Sequence, residues 1–415
     1  MSSDEHAGPA RPSVGQKSWK KVNEERKLLK KTYKKENILK RLEKAKKLEE
    51  LSKEVNQESN EQLRKTSTVS IAVPGSILEN AQSAELRTYL AGQIARAACI
   101  FQVDEVVVFD DLGVRDFKDN KVKTVGSDTD EQPTTTIRKS SLQLARILQY
   151  LECPQYLRKF FFPLHNDLKY SGLLNPLDAP HHLRQQNAFM YREGIVTDKK
   201  VKEGKGSYVN VGLLNDVLVD KCLTQGLRVT VRMNPNQEHK TKKLKGKIVS
   251  PWEPRAKTGV YWGYTIRVAS CLSQIFTQSP YEKGYDLTIG TSDKGTPITE
   301  VAPRSYNYDH ALIIFGGLQG LERALQSDSQ LAVDDPQLLF DHYLNVLPKQ
   351  GSRTIRTEEA ILISLAALQE KFDPKTKPPE FDLQNYIPQS DDTGMKQFEQ
   401  INAKTKVVED LSRFD

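Results

Sequence analysis

No stretch of this sequence approaches the roughly 18 consecutive apolar residues of a membrane-spanning helix, so no membrane segment is expected. The opening residues, MSSDEHAGPARPS, contain no apolar core of the kind that directs export. Cysteine is scarce. Cys99, Cys153, Cys222 and Cys271 lie far apart, with no CxxC pair and no zinc spacing. That argues against a disulfide framework and reads as reduced thiols in a cytosolic or nuclear protein. No GxGxxG follows a strand-like run, which argues against an open dinucleotide-binding fold.

What is present is a polar chain of 415 residues, room for two or three domains. The formal charge is +7, but residues 17–53 alone carry 15 Lys and Arg against 6 Asp and Glu. The rest of the chain is therefore slightly acidic, and attraction to polyanions is concentrated in one arm. That arm lacks Pro and Gly and alternates Glu with Lys around a thin stripe of Leu and Ile. It reads as a charged helix, suited to an RNA backbone or to nuclear addressing, or else simply solvated.

From Ser67 the pattern becomes that of an α/β sheet. Val69, Ile71 and Val73 alternate like a strand that ends at Pro74-Gly75. A helix is expected over 85–98 and an apolar strand over 106–109, closed by Asp110-Asp111. Residues 112–136 read as a flexible polar excursion, and a helix resumes over 140–151. The segment 154–182 is rich in unusual side chains. Arg158, Lys159, His165, His181 and His182 suggest an RNA-facing surface; the alternative is side chains that bind the loop's own backbone. Its spacing matches no closed metal motif, so no metal site is expected.

Five short Val/Ile-rich runs follow between Arg192 and Ser250, separated by Lys, Gly, Asn and Pro turns. They suit an OB-like β-barrel, with Lys199, Lys200, Lys242 and Lys243 in its loops as phosphate contacts. Aromatics are sparse there, so base stacking is poorly supported. A strand is expected over 259–267, a helix over 269–276 and a buried strand over 285–289 that runs into Gly290–Gly295. Next, Ala311–Phe315 is a strand ending at Gly316-Gly317, with a helix starting at once. Leu338–Leu347 can supply another strand, and a helix capped by Thr357 opens after a polar loop. Loops at the carboxyl ends of neighbouring strands form a ligand-binding edge.

The phrases SIAVPGSILENAQSAELRTYLAGQIARA, FFPLHNDLKYSGLLNPLDAPHH, YREGIV, YDLTIGTS, ALIIFGGLQGLE and GSRTIRTEEAILISLAALQ cover most of residues 67–370. With them the chain resembles the SPOUT, or α/β-knot, RNA methyltransferases, in the archaeal and eukaryotic branch that carries an OB-like insert. The resemblance implies a trefoil-knotted α/β domain built from two chain halves. It divides the chain into an arm (1–65), a first half (66–190), the barrel (191–257), a second half with the knot (258–371) and a tail (372–415) read as disordered. It implies that S-adenosylmethionine is the cofactor, leaving S-adenosylhomocysteine. The carry-over places Thr291, Ser292, Lys294 and Gly295 in the first cofactor loop. Phe315, Gly316, Gly317 and Leu318 fall in the second, and Asn345, Leu347, Thr354, Ile355, Arg356 and Thr357 in the third.

Methyl transfer from a sulfonium needs alignment and exclusion of water more than covalent help. Arg353 and Arg356 are the candidates to stabilise charge on the acceptor; the alternative is pairing with Glu358 or Glu359. No general base stands out. The expectation is an S-adenosylmethionine-dependent RNA methyltransferase acting as a homodimer through the knot on a base, such as a uridine ring nitrogen, in ribosomal RNA. The expected location is the nucleus, nucleolus or cytoplasm. The competing class is an RNA-binding scaffold of the same fold without turnover, for which the resemblance suggests spindle or centromere association.

Overall fold

The computed structural model describes residues 66–113, 121–123, 136–187, 189–199, 201, 206–233, 244–331 and 333–380. The basic arm, most of the excursion at 112–136, the tail beyond 380, and Lys200, Lys242 and Lys243 lie outside the described residues.

In chain order the first elements are β1 (Thr68–Pro74), α1 (Ala84–Ile100), β2 (Glu105–Phe109), a small hairpin of β3 (Lys121–Lys123) and β4 (Thr136–Arg138), α2 (Lys139–Glu152) and α3 (Gln155–Phe161). The middle of the chain supplies β5 (Tyr191–Val196), β6 (Ser207–Asn210), β7 (Val217–Val219), β8 (Arg228–Met233) and β9 (Leu244–Val249). Then follow α4 (Glu253–Thr258), β10 (Thr265–Ala269), α5 (Ser273–Thr277), β11 (Leu287–Pro297), β12 (Tyr306–Tyr308), β13 (His310–Ile314) and α6 (Gly320–Ser327). The last are β14 (His342–Asn345), α7 (Thr357–Gln369) and β15 (Phe372–Pro374).

Six strands form one sheet in the order β10-β2-β1-β13-β11-β14, and every neighbouring pair is parallel. A parallel sheet is covered on both faces, which is why β2 reads Glu-Val-Val-Val-Phe and is buried at all five positions. One face packs under α1, α2 and α7 through Ile94, Leu144, Leu148, Ile361 and Leu365. The other carries α5 and α6 through Ile275, Leu321 and Leu325. β1 and β2 precede the barrel in sequence and the other four strands follow it, so the sheet joins two chain halves. Because all six strands are parallel, their carboxyl ends share one edge. That edge holds the turns after Pro74, Phe109, Ala269, Ile314 and Asn345.

The five Val/Ile runs close a barrel in the order β5-β6-β7-β9-β8. It joins the sheet through charge. Glu152, the last residue of α2, takes a bidentate pair from Arg228 of β8, at 2.6 and 2.8 Å. Arg228 also donates to Glu193 at 2.9 Å, and Glu193 accepts from Thr230 and from the Trp262 indole, each at 2.6 Å. Arg255 pairs with Asp104 at the start of β2.

Several element expectations are corrected. The apolar run 259–267 is strand only from Thr265; Val260, Tyr261, Trp262 and Tyr264 are buried by packing instead. The helix expected over 269–276 is the shorter α5. β11 runs on through residues 290–297, its pairing with β14 slipping between Thr291 and Thr296. The strand expected from Leu338 begins at His342, because Pro336 opens a 3-10 turn over Pro336–Leu339. The tail is ordered at its start, where β15 pairs in parallel with β12.

Candidate active site

Three hydrogen bonds gather the three expected cofactor loops. The Thr291 hydroxyl donates to the Ile314 carbonyl at 3.1 Å. The Asn345 amide donates to the Asp293 carbonyl at 2.8 Å. The Thr357 hydroxyl donates to the Gly316 carbonyl at 3.0 Å. The helix N-cap is therefore Arg356, not Thr357, and the Arg356 N–H donates to the Glu359 carboxylate at 3.0 Å. Threonine is a good cap, but here its hydroxyl serves a neighbouring loop. The helix expected directly after Gly316-Gly317 begins at Gly320, after a turn closed by Gly320 N–H to the Gly317 carbonyl at 3.0 Å.

The glycines in these loops are close-approach points. A Cβ on Gly295 would lie 2.5 Å from the Leu344 backbone. A Cβ on Gly317 would lie 2.9 Å from Asp111 Oδ2 and 3.3 Å from Ser76 Oγ. Phe315 is buried in the core beneath the loop, while Leu318 stands 79% exposed and Leu347 is also exposed. Lys294 reaches Glu322 of α6 at 2.6 Å. Ser292 accepts from Lys294 N–H at 3.2 Å, and Leu347 N–H donates to Asn345 at 3.1 Å. Arg353, Thr354 and Arg356 are exposed and Ile355 is half-buried. Among the described residues no ion pair ties either arginine to Glu358 or Glu359.

Two further turns at this edge went unassigned as site residues in the sequence. Asp110 and Asp111 close β2, and Gly75-Ser76 follow β1. Asp111 Oδ2 accepts from Ser76 Oγ at 2.6 Å. Asp110 accepts from Arg138 Nε at 3.2 Å. Burial raises both carboxyl pKa values. The available signal was positional: a residue that closes a strand of the same parallel sheet ends on the same edge.

The expected RNA contacts scatter. Arg158 donates to the Cys153 and Leu151 carbonyls at 3.0 and 3.2 Å and lies over Tyr150, finishing α2. Lys159 is exposed beside Phe160. His165 is exposed and accepts from the Asp167 N–H at 3.1 Å. Lys199 pairs with Asp216 at 2.6 Å. An RNA contact is corrected at His181, which is 0% exposed. His181 and His182 both aim Nε2 at the Glu152 carbonyl, at 2.9 and 2.7 Å. A carbonyl only accepts, so both rings carry their proton on Nε2. Burial pushes the His182 pKa down to about 3. Both rings bind the fold's own backbone. Among the described residues no cluster of His, Cys, Asp or Glu could hold a metal, and no described helix is long and apolar enough to cross a membrane.

Glycine-containing turns gathered at the carboxyl edge of a parallel sheet, together with a closed five-stranded barrel, define an α/β protein with an inserted barrel. A family model described as "Putative RNA methyltransferase" matches residues 68–368. Over 386 residues the chain is 63% identical to a 28S rRNA (uridine-N(3))-methyltransferase of Drosophila melanogaster, covering 93% of this chain and 79% of that protein. It is 57% identical over 305 residues to the human protein of that name, covering 73% and 78% respectively. The chain belongs to this RNA methyltransferase family and is a methyltransferase. The relatives are named for catalysis, which does not favour the scaffold alternative.

Proposed function

We propose that this protein methylates N3 of a uridine in ribosomal RNA, with S-adenosylmethionine held in the cleft formed by residues 291–295, 315–318 and 345–357. The observation that carries the reading is the convergence of these loops through the Thr291, Asn345 and Thr357 hydrogen bonds. These turns suit such a cofactor: Gly316 and Gly317 are half-buried and carry no side chain, and exposed Leu318 and Leu347 offer apolar cover for an adenosine. We read the passage of the chain from β14 back under the Gly316 loop as the knot.

When bound, the cofactor supplies an electrophilic methyl group. The protein's part is alignment and charge. Backbone at Gly316 and Gly317 and around Asn345–Thr357 holds the donor, and the packed loops exclude water. Uridine N3–H is a weak acid; it would lose its proton to solvent water, and the resulting N3 anion, its charge shared with the ring carbonyls, would take the methyl group while the donor leaves as a neutral thioether. Arg353 and Arg356, exposed at the mouth, stabilise that charge or the neighbouring phosphate. N3 is also the base-pairing position, so the acceptor uridine has to be unpaired in the site. Lys159, His165 and Lys199, with Lys200, Lys242, Lys243 and the basic arm, guide the RNA backbone.

The protein acts as a homodimer. An apolar face on α1 and α7 supports this: exposed Tyr89, Ile100 and Leu362, with Leu174, line a groove of about 170 Å³, and Leu86 and Leu173 are also exposed. Its place is the nucleus, the nucleolus or the cytoplasm. Nucleoside mass spectrometry of ribosomal RNA from cells with and without the protein tests the reading. N3-methyluridine at one site is expected to disappear with the protein; an unchanged nucleoside profile would remove the proposal.

A further inference from the structure

We propose that Asp111 binds the positively charged methionine end of the methyl donor, and so distinguishes S-adenosylmethionine from neutral adenine nucleosides. This rests on the cofactor reading above and names which part of the ligand a particular residue reads.

Buried acids in this fold are matched by a positive partner or by backbone donors. Asp104 has Arg255, Glu105 has Arg267 at 2.9 Å, Asp110 has Arg138 at 3.2 Å, and Glu152 has Arg228. Asp328 accepts from the N–H groups of Ser273 and Gln330 at 2.7 and 3.0 Å. Glu358 sits in the first turn of α7, where the helix end is positive.

Asp111 is 3% exposed and, unlike Asp104, Glu105, Asp110 and Glu152, has no basic side chain as a partner among the described residues. Its carboxylate accepts one short bond from Ser76 Oγ and one long bond, 3.3 Å, from the Ser76 N–H. No lysine or arginine among the described residues ion-pairs with it, and Asp110 beside it adds repulsion. A buried carboxylate without a counter-charge is costly, and a cationic ligand relieves that cost.

The carboxylate lies against the second of the proposed cofactor loops. Gly317 packs against Oδ2, so closely that a Cβ there would lie 2.9 Å from it. A sulfonium and an α-ammonium are the two positive groups on the donor. Either one, placed over Gly317, meets the carboxylate in a site shielded from water, where a charge-assisted contact is strong. Ser76 fixes the rotamer of Asp111, so the charge is held in place before the ligand arrives.

The test is calorimetric titration of the full-length protein with S-adenosylmethionine, S-adenosylhomocysteine and 5′-methylthioadenosine, which carries neither positive group. Asp111→Asn keeps the shape and can still accept from Ser76. It is expected to weaken S-adenosylmethionine about tenfold or more, the equivalent of losing one charge-assisted contact. Binding of 5′-methylthioadenosine should be unchanged. Ser76→Ala retains the charge and should keep the ratio between these two ligands near that of the wild type. Loss of S-adenosylhomocysteine binding in Asp111→Asn assigns the contact to the ammonium; its retention assigns the sulfonium. The inference is overturned if Asp111→Asn leaves S-adenosylmethionine binding intact, or weakens it in parallel with 5′-methylthioadenosine. A wild-type protein that binds none of the three removes the cofactor reading, and this inference with it.

Discussion

At Gly317 the loop after β13 lies against Asp111 and Ser76 of the loops after β2 and β1, so a single methyl group there is informative. In Gly317→Ala the new Cβ would press on Asp111 Oδ2 and Ser76 Oγ. Relieving such a contact costs about 1–3 kcal/mol, and here it displaces cleft-lining groups. The expected outcome is a roughly tenfold rise in the dissociation constant for S-adenosylhomocysteine. Gly172→Ala, where nothing lies within 4 Å, is the control that should bind normally. Isothermal titration checks both. The glycine pair was legible in the sequence because Gly-Gly after an apolar run has few purposes besides turning and close approach. Other residue-level roles were not legible. Thr357 follows a polar loop and precedes Glu358 and Glu359, which reads as a cap. Only the fold reveals that a carbonyl 41 residues upstream claims its hydroxyl. His181 and His182 are polar residues in a proline-rich segment, and nothing local says that the end of α2 buries them.

At the scale of elements, the junction between α2 and the barrel sets a pH dependence. His182 is held neutral, its pKa pushed down to about 3 by burial, with the repulsion of His181 next and Glu152 opposing. In the unfolded chain the imidazole takes up a proton near its ordinary pKa of 6.5. Stability is therefore fully present above that pH and falls as pH drops from there towards 3. Glu152 has the opposite charge but the same sense. Burial raises its pKa, Arg228 more than reverses this, and the contribution of the pair is lost only below the ordinary carboxylate range. Between pH 7 and pH 5 the histidine alone of these two groups acts. Wild-type stability should drop by on the order of 1–2 kcal/mol from this source. His182→Gln retains a donor for the Glu152 carbonyl and should flatten the slope. Thermal melts at pH 7, 6 and 5 measure it. The barrel strands themselves were legible, since each Val/Ile run is short and bounded by turn residues. The run before β10 misled because Val260, Tyr261, Trp262 and Tyr264 are apolar for burial against the junction, not for pairing in a ladder.

The plan of the whole molecule was legible as alternating strands and helices, but the sheet order was not. β1 pairs with β13 across some 240 residues, with Thr68 opposite His310, and no local pattern encodes a partner so distant. The apolar face on α1 and α7 was hidden for a related reason. Leu86 falls at helical spacing with apolar residues of α1, yet the packed fold leaves it exposed, and that fold brings exposed Tyr89 and Ile100 together with Leu362 around one groove. Such a face on a 47.1 kDa chain calls for a cover. In the proposed homodimer a second copy would supply one with the same patch, as an isologous interface requires. Introducing a carboxylate on each helix, in Tyr89→Glu with Leu362→Glu, sets like charges against one another across such an interface. Sedimentation is expected to give twice the chain mass for the wild type and the single-chain mass for the variant. The cofactor loops of each protomer meet through their own hydrogen bonds, so the separated chain should still bind S-adenosylhomocysteine. If the acceptor uridine is held between two protomers, RNA methylation should fall by at least about a hundredfold while that binding persists. A variant that stays dimeric would place the interface elsewhere, and one that turns over normally as a monomer would show that a single chain completes the acceptor site.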